Sequence, residues 1–196
     1  KEISDLFIKT GRIQYCVMIL VLTGFFLFGQ QFIRLWAGEG YDDAYVIAML
    51  FFVPLTVPLI QNLGITILQA RNQMKFRSLL YLVISLVSLG AQIPLSKYYG
   101  GIGCACAIAG ALILGQIIVM NVYYQVKQKI DIVRFWIEII KMSFVPGVLT
   151  VVTYYILQQY ALDSVLTLVV GIFIYLLVYL PLFFIFSMNA YERDLI

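Results

Sequence analysis

The residues able to do chemistry in this chain are amides and hydroxyls arranged in stripes, and the most distinctive stripe lies in 44–70, an interval without a single charge. It contains Pro54 and Pro58, followed by Asn62, Thr66 and Gln69, with Gln61 beside them. From Pro58 the spacing runs four, four and three, which places these positions on one face of a helix. Each proline removes a backbone hydrogen bond and crowds the preceding turn, so a hinge is predicted at Pro54 and Pro58. Amides in an apolar segment need partners. Gln61, Asn62, Thr66 and Gln69 therefore read either as the wall of a polar substrate path or as hydrogen-bond glue between helices.

Two further stripes follow. Ser85, Ser88, Gln92 and Ser96 recur at helical spacing, and because serine hydroxyls can bond their own backbone, packing is the favoured reading. Gly103, Ala107, Ala111 and Gly115 form a strict four-residue ladder, a small-residue pattern that lets helices approach closely and predicts a packing seam. Cys104 and Cys106 lie on different faces of the same helix and read as small hydrophobes; Cys16 completes an odd count that no disulfide framework fits. Gln116 and Asn121 are the polar exceptions, and Asn121 reads as interfacial, with no special role.

Enzyme chemistry needs carboxylates, nucleophiles or bases that converge at one depth. The chain has no His, and its long apolar intervals hold no Asp, Glu, Lys or Arg. The adjacent Asp42 and Asp43 precede an apolar run and read as helix caps, and the longest basic connection offers only Asp131 and Glu138. The expectation is a protein that is not an enzyme, with no catalytic residue, metal or cofactor and no self-sufficient proton relay. A net charge of +3, scattered along the chain, argues against a nucleic-acid partner.

The elements that position these residues follow from composition. Of 196 residues, 63% are hydrophobic and 12% charged, with a mean hydropathy of +0.97, which excludes an ordinary soluble domain. Marking the charges leaves six long intervals, and each supplies the roughly 20 apolar residues that cross a bilayer. Continuous runs rather than ten-residue alternation mean helices, because a lone spanning segment must satisfy its own backbone hydrogen bonds. The predicted fold is all-α and transmembrane, with spans near 13–33, 46–69, 78–96, 102–124, 142–161 and 164–187. The connection 125–141 interleaves charges with Ile132, Phe135, Trp136 and Ile139 and predicts an interfacial amphipathic helix near 131–140. Membrane lipids are the implied surroundings.

The opening KEISDLFIKTGR has no signal-peptide pattern and starts without Met, which reads as the beginning of a piece of a larger transporter. Several stretches carry a resemblance: LFIKTGRIQ, GQQFIRLWAGEGYDDAYVIA, PLTVPLIQNLGITILQARNQMKFRSLLYLV and SKYYGGIGCACAIAGALILGQIIVMNVYY. They resemble the carboxy-terminal part of bacterial polysaccharide biosynthesis proteins, the oligosaccharide repeat-unit flippases of the multidrug/oligosaccharidyl-lipid/polysaccharide exporter superfamily. The most distinctive stretch is 58–77. The resemblance implies a six-helix segment of a MATE-like transporter bundle in the bacterial inner membrane, with an amino-terminal bundle preceding it. It further implies alternating-access flipping of undecaprenyl-pyrophosphate-linked oligosaccharide from the cytoplasmic to the outer leaflet for cell-surface polysaccharides such as O-antigen or capsule. Polysaccharide polymerase and glycosyltransferases would be its partners. The alternatives are a drug or small-molecule exporter of the same superfamily, a membrane-embedded glycosyl or acyl transferase of the cell envelope, and a noncatalytic assembly subunit.

Six spans put both termini on one side, together with eleven of the thirteen Lys and Arg; only Arg34 and Lys97 fall opposite. The excess of basic residues on cytoplasmic loops predicts cytoplasmic termini. In a background lacking Cys16, Cys104 and Cys106, Lys75→Cys should react with a membrane-impermeant thiol reagent only from the cytoplasm and Asp42→Cys only from outside; the reverse pattern would invert the topology.

Overall fold

The computed structural model describes residues 2–160 and 164–194, which leaves Lys1, residues 161–163 (the end of the 142–161 span and Asp163 among them) and 195–196 outside it. Every element among the described residues is helical: α1 (Glu2–Ala37), α2 (Asp42–Ile60), α3 (Asn62–Ala70), α4 (Met74–Leu112), a π segment (Ile113–Val119), α5 (Met120–Val126), α6 (Ile132–Leu157), α7 (Val165–Phe186) and α8 (Ala190–Arg193). Among the described residues five helical runs are long and apolar enough to cross a membrane: α1, α2, the 53 residues of Met74–Val126, α6 and α7. The chain is thus an all-α multi-pass membrane protein.

The run Met74–Val126 contains its own reversal. Gly100 has φ 58° and ψ −135°, a backbone conformation open in practice only to glycine. A Cβ on Gly103 would lie 2.2 Å from the Leu95 carbonyl, and one on Gly115 1.9 Å from Ile84 Cδ1. Residues 84 and 115 meet because the chain folds back about its midpoint, so Met74–Val126 is a helical hairpin. Gly103, Ala107, Ala111 and Gly115 are all buried, and the buried line then steps by five to Met120 before resuming by four to Tyr124. The five-residue step is the width of a π turn and keeps the seam on one side of the helix. In the facing arm Ser88 is buried and accepts a hydrogen bond from Gln92 Nε2, while Ser85 and Ser96 bond their own backbone.

Two expectations need correction. The interfacial helix near 131–140 is not a separate element: residues from Ile132 form the first turns of α6, which continues unbroken to Leu157. Phe135 is completely buried, with its ring 5.1 Å from that of Phe7, because α1 begins at Glu2 rather than near 13 and brings an apolar face to meet it. The predicted bend at the prolines is also displaced along the chain. Pro54 and Pro58 stay within α2, and the helix breaks three residues later at Gln61, whose φ of −103° and ψ of 18° fall in the bridge region.

Contacts divide the chain into two compact units, Lys1–Tyr15 with Val46–Trp136, and Cys16–Tyr45 with Ile137–Ile196. In the first unit, α3 ends in a Schellman motif: Asn72 takes φ 52°, the Gln73 N–H reaches the Leu68 carbonyl at 2.9 Å and the Asn72 N–H reaches Gln69 at 3.0 Å. The following loop is tied down by Gln128, which is buried, accepts from Arg71 at 2.7 Å and donates to Gln73 at 2.6 Å. Arg134 pairs with Asp5 at 2.6 Å, and Ser4 accepts from the Asp131 N–H. In the second unit, Tyr175 donates to Thr23 at 2.9 Å, Tyr45 donates to the Phe26 carbonyl at 2.8 Å, and the rings of Tyr175, Tyr179 and Phe183 run along one face of α7. Arg34 and Asp42 form an ion pair across the turn after α1. Ser164 and Thr167 form a capping box that starts α7.

The hairpin seam sets a stability order. Ala107→Leu or Ala111→Leu should destabilise by ~1–3 kcal/mol through overpacking. Gly103→Ala meets backbone and should also destabilise, whereas Gly110→Ala, with nothing within 4 Å of the added methyl, should stabilise by ~0.5–1 kcal/mol through helix propensity alone. Thermal unfolding in detergent measures all four; a Gly110→Ala variant that melts below Gly103→Ala contradicts the seam.

Candidate functional site

The polar stripe of the second apolar interval is built on a broken helix. At the break, the Gln61 N–H still reaches the Val57 carbonyl at 3.1 Å, but the Gly64 N–H turns to Gln61 at 2.9 Å in place of Ile60. The Ile60 carbonyl lies so close to α1 that a Cβ on Gly11 would sit 2.7 Å from its oxygen and 2.5 Å from the Phe135 ring. Gly11 is therefore the residue that allows α1 to cover the break. Gly64 has the same role one turn on, where a Cβ would stand 2.6 Å from the Tyr124 hydroxyl.

The break separates the predicted stripe into a buried part and an exposed part. Gln61 is 3% exposed, and its Nε2 donates to Asn121 Oδ1 at 2.7 Å. The same oxygen accepts from Trp136 Nε1 at 3.3 Å, and Asn121 Nδ2 donates back to the Ile117 carbonyl in the π segment. One amide thus joins the break in α2–α3, the π segment and the start of α6. Gln61 bonds between helices, as the hydrogen-bond reading of its amide expects.

Asn62, Thr66 and Gln69 remain together, and all three are exposed on the outward face of α3, opposite the buried Gly64 and Leu68. Pro58 is partly exposed and Pro54 buried on α2, just ahead of the break. The arrangement is a short half-helix with one face packed and one face of amides and hydroxyls free to meet a polar partner. Such a face can exchange hydrogen bonds with a neutral polyhydroxylated molecule and supplies neither a nucleophile nor a base. Among the described residues no group of three or more Cys, Asp and Glu side chains comes together to hold a metal ion.

Sequence reasoning missed Asn121. Its partner Gln61 lies 60 positions away, and helical spacing carries no information at that separation. The one local signal was an amide at the end of an otherwise apolar helix, level with a Trp ahead in the chain. Asn121→Ala leaves Gln61 Nε2 and Trp136 Nε1 without their acceptor, and a buried donor left unpaired costs about 1–3 kcal/mol. That variant should melt below wild type, while Asn62→Ala, on the exposed face, should stay within about 0.5 kcal/mol of wild type; equal melting of the two would remove Asn121 from its bracing role.

No family model matches this chain, and no curated protein or solved structure is significantly similar to it.

Proposed function

We propose that the chain is the carboxy-terminal part of a flippase for lipid-linked oligosaccharides, with six crossings and both ends in the cytoplasm. The observation that carries this reading is the broken second helix, with Asn62, Thr66 and Gln69 exposed together on its short second half. Interrupted membrane helices occur where backbone borders a binding site or a wet cavity, because lipid cannot satisfy the freed groups. Amides and a hydroxyl without charge suit a carbohydrate better than a cation. The hairpin at Gly100 supports two crossings within Met74–Val126, which raises the count from five runs to six. The sequence resemblance to oligosaccharide repeat-unit flippases supplies the substrate class, and the oligosaccharide would pass along α3 as the protein alternates between inward- and outward-open states.

The test is polymer export in a flippase-deficient cell that carries the complete transporter, with membrane abundance measured in parallel. Asn62→Leu/Gln69→Leu should fold and accumulate normally, because both side chains are exposed, yet export should fall at least about tenfold, the equivalent of one lost hydrogen bond to substrate. Normal export at normal abundance would remove α3 from the substrate path.

A further inference from the structure

Gln116 is 4% exposed, and its side-chain Nε2 has no hydrogen-bond partner within the protein. A primary amide in this position is unusual, since buried polar groups are nearly always bonded, and an exception points to a bound water, an ion or a functional contact. Gln116 stands in the π segment Ile113–Val119, where the backbone is widened by one residue and the neighbouring Gly115 packs directly against Ile84. Single π turns of this kind recur at functional positions.

The register gives what lies near its height. Gln61 bonds Asn121 and Gly64 abuts Tyr124, an offset of 60 in both pairs (121 − 61 and 124 − 64), with the two helices running in the same direction. Carried back five residues, through the break at Gln61 and the π segment, the same offset sets Gln116 at about the height of Thr56, which is buried and whose hydroxyl is engaged with the Phe52 carbonyl at 2.8 Å. This is the stretch of α2 that holds Pro54 and Pro58. Neither proline has an N–H, so the carbonyls of Leu50 and Pro54 lack the donor an ordinary helix would give them. An amide donor without an acceptor therefore lies near the height of the Pro54 carbonyl, an acceptor without its helical donor.

A hydroxyl group satisfies both at once, since it accepts one hydrogen bond and donates another. An anion would satisfy only the amide and would carry an uncompensated charge into an apolar setting. We propose that Gln116 Nε2 binds a neutral hydroxyl oxygen, from an ordered water or a carbohydrate, between the π segment and the proline-bearing part of α2. This site is separate from the exposed face of α3 and does not depend on the transport reading.

The test uses the intact chain in detergent micelles with 15N-labelled glutamine side chains, the Gln116 signal being assigned by its loss in Gln116→Met. The expected result is cross-relaxation between the Gln116 side-chain amide and a long-lived water. Cross-relaxation to methyl α-D-glucopyranoside, added at millimolar concentration, would instead identify carbohydrate as the source of the hydroxyl. An amide silent to both overturns the proposal. Melting gives an independent reading: with its acceptor bound, Gln116→Leu and Gln116→Met should each lower Tm by about 2–4 °C. Both variants melting at or above wild type marks an orphaned amide and equally overturns the site.

Discussion

A broken backbone inside hydrocarbon must find its hydrogen bonds within the protein, and this one constraint organises the first compact unit. Lipid cannot repair a ladder there, so each interruption needs a partner held within the protein, a side chain, a tighter turn or an ordered hydroxyl. The break at Gln61 has several. The Gly64 N–H shifts to a tighter turn, and the Gln61 side chain crosses to Asn121, which also takes the Trp136 indole. Gly11 and Gly64 keep their neighbours close by having no side chain to intrude. The same constraint explains why α1 is longer than a membrane crossing needs: its first turns bring Phe7 and Gly11 to Phe135 and the Ile60 carbonyl.

The hairpin and the π segment answer a related demand. Two antiparallel arms pack closely only if small residues stay on one side, and a ladder with a spacing of four drifts slowly around a helix whose true period is 3.6. Gly103, Ala107, Ala111 and Gly115 carry the seam for three steps, after which the wider π turn realigns it with Met120 and Tyr124. The adjustment places Asn121 where it meets Gln61. A packing device in one helix thereby fixes the position of the brace for the break in another.

Much of this was legible in the residues and part of it was not. Charge-free intervals located the apolar helices, because the hydrocarbon thickness leaves few alternatives. The common face of Asn62, Thr66 and Gln69 followed from spacing. The site of the break did not, since proline marks where a helix is weakened, while the place it yields depends on a partner such as Asn121, 60 positions away. Residues 131–140 looked interfacial because their charges alternate with apolar positions, and only the amino-terminal extension of α1 reveals that Phe135 faces protein. Periodicity reports that a helix has an apolar face; it does not report what covers that face.

On the flippase proposal, the joint between α2 and α3, which the Gln61–Asn121 bond braces, opens and closes as the protein alternates between inward- and outward-open states. A thiol-specific, cleavable cross-linker between Gln61→Cys and Asn121→Cys tests this most directly, in the complete transporter with Cys16, Cys104 and Cys106 replaced and polymer export as the readout. The uncross-linked double variant serves as the reference. Export should stop when the pair is joined and return when the linker is cleaved. Export that continues at the reference rate with the pair fully cross-linked would show that the joint is static and would contradict the account.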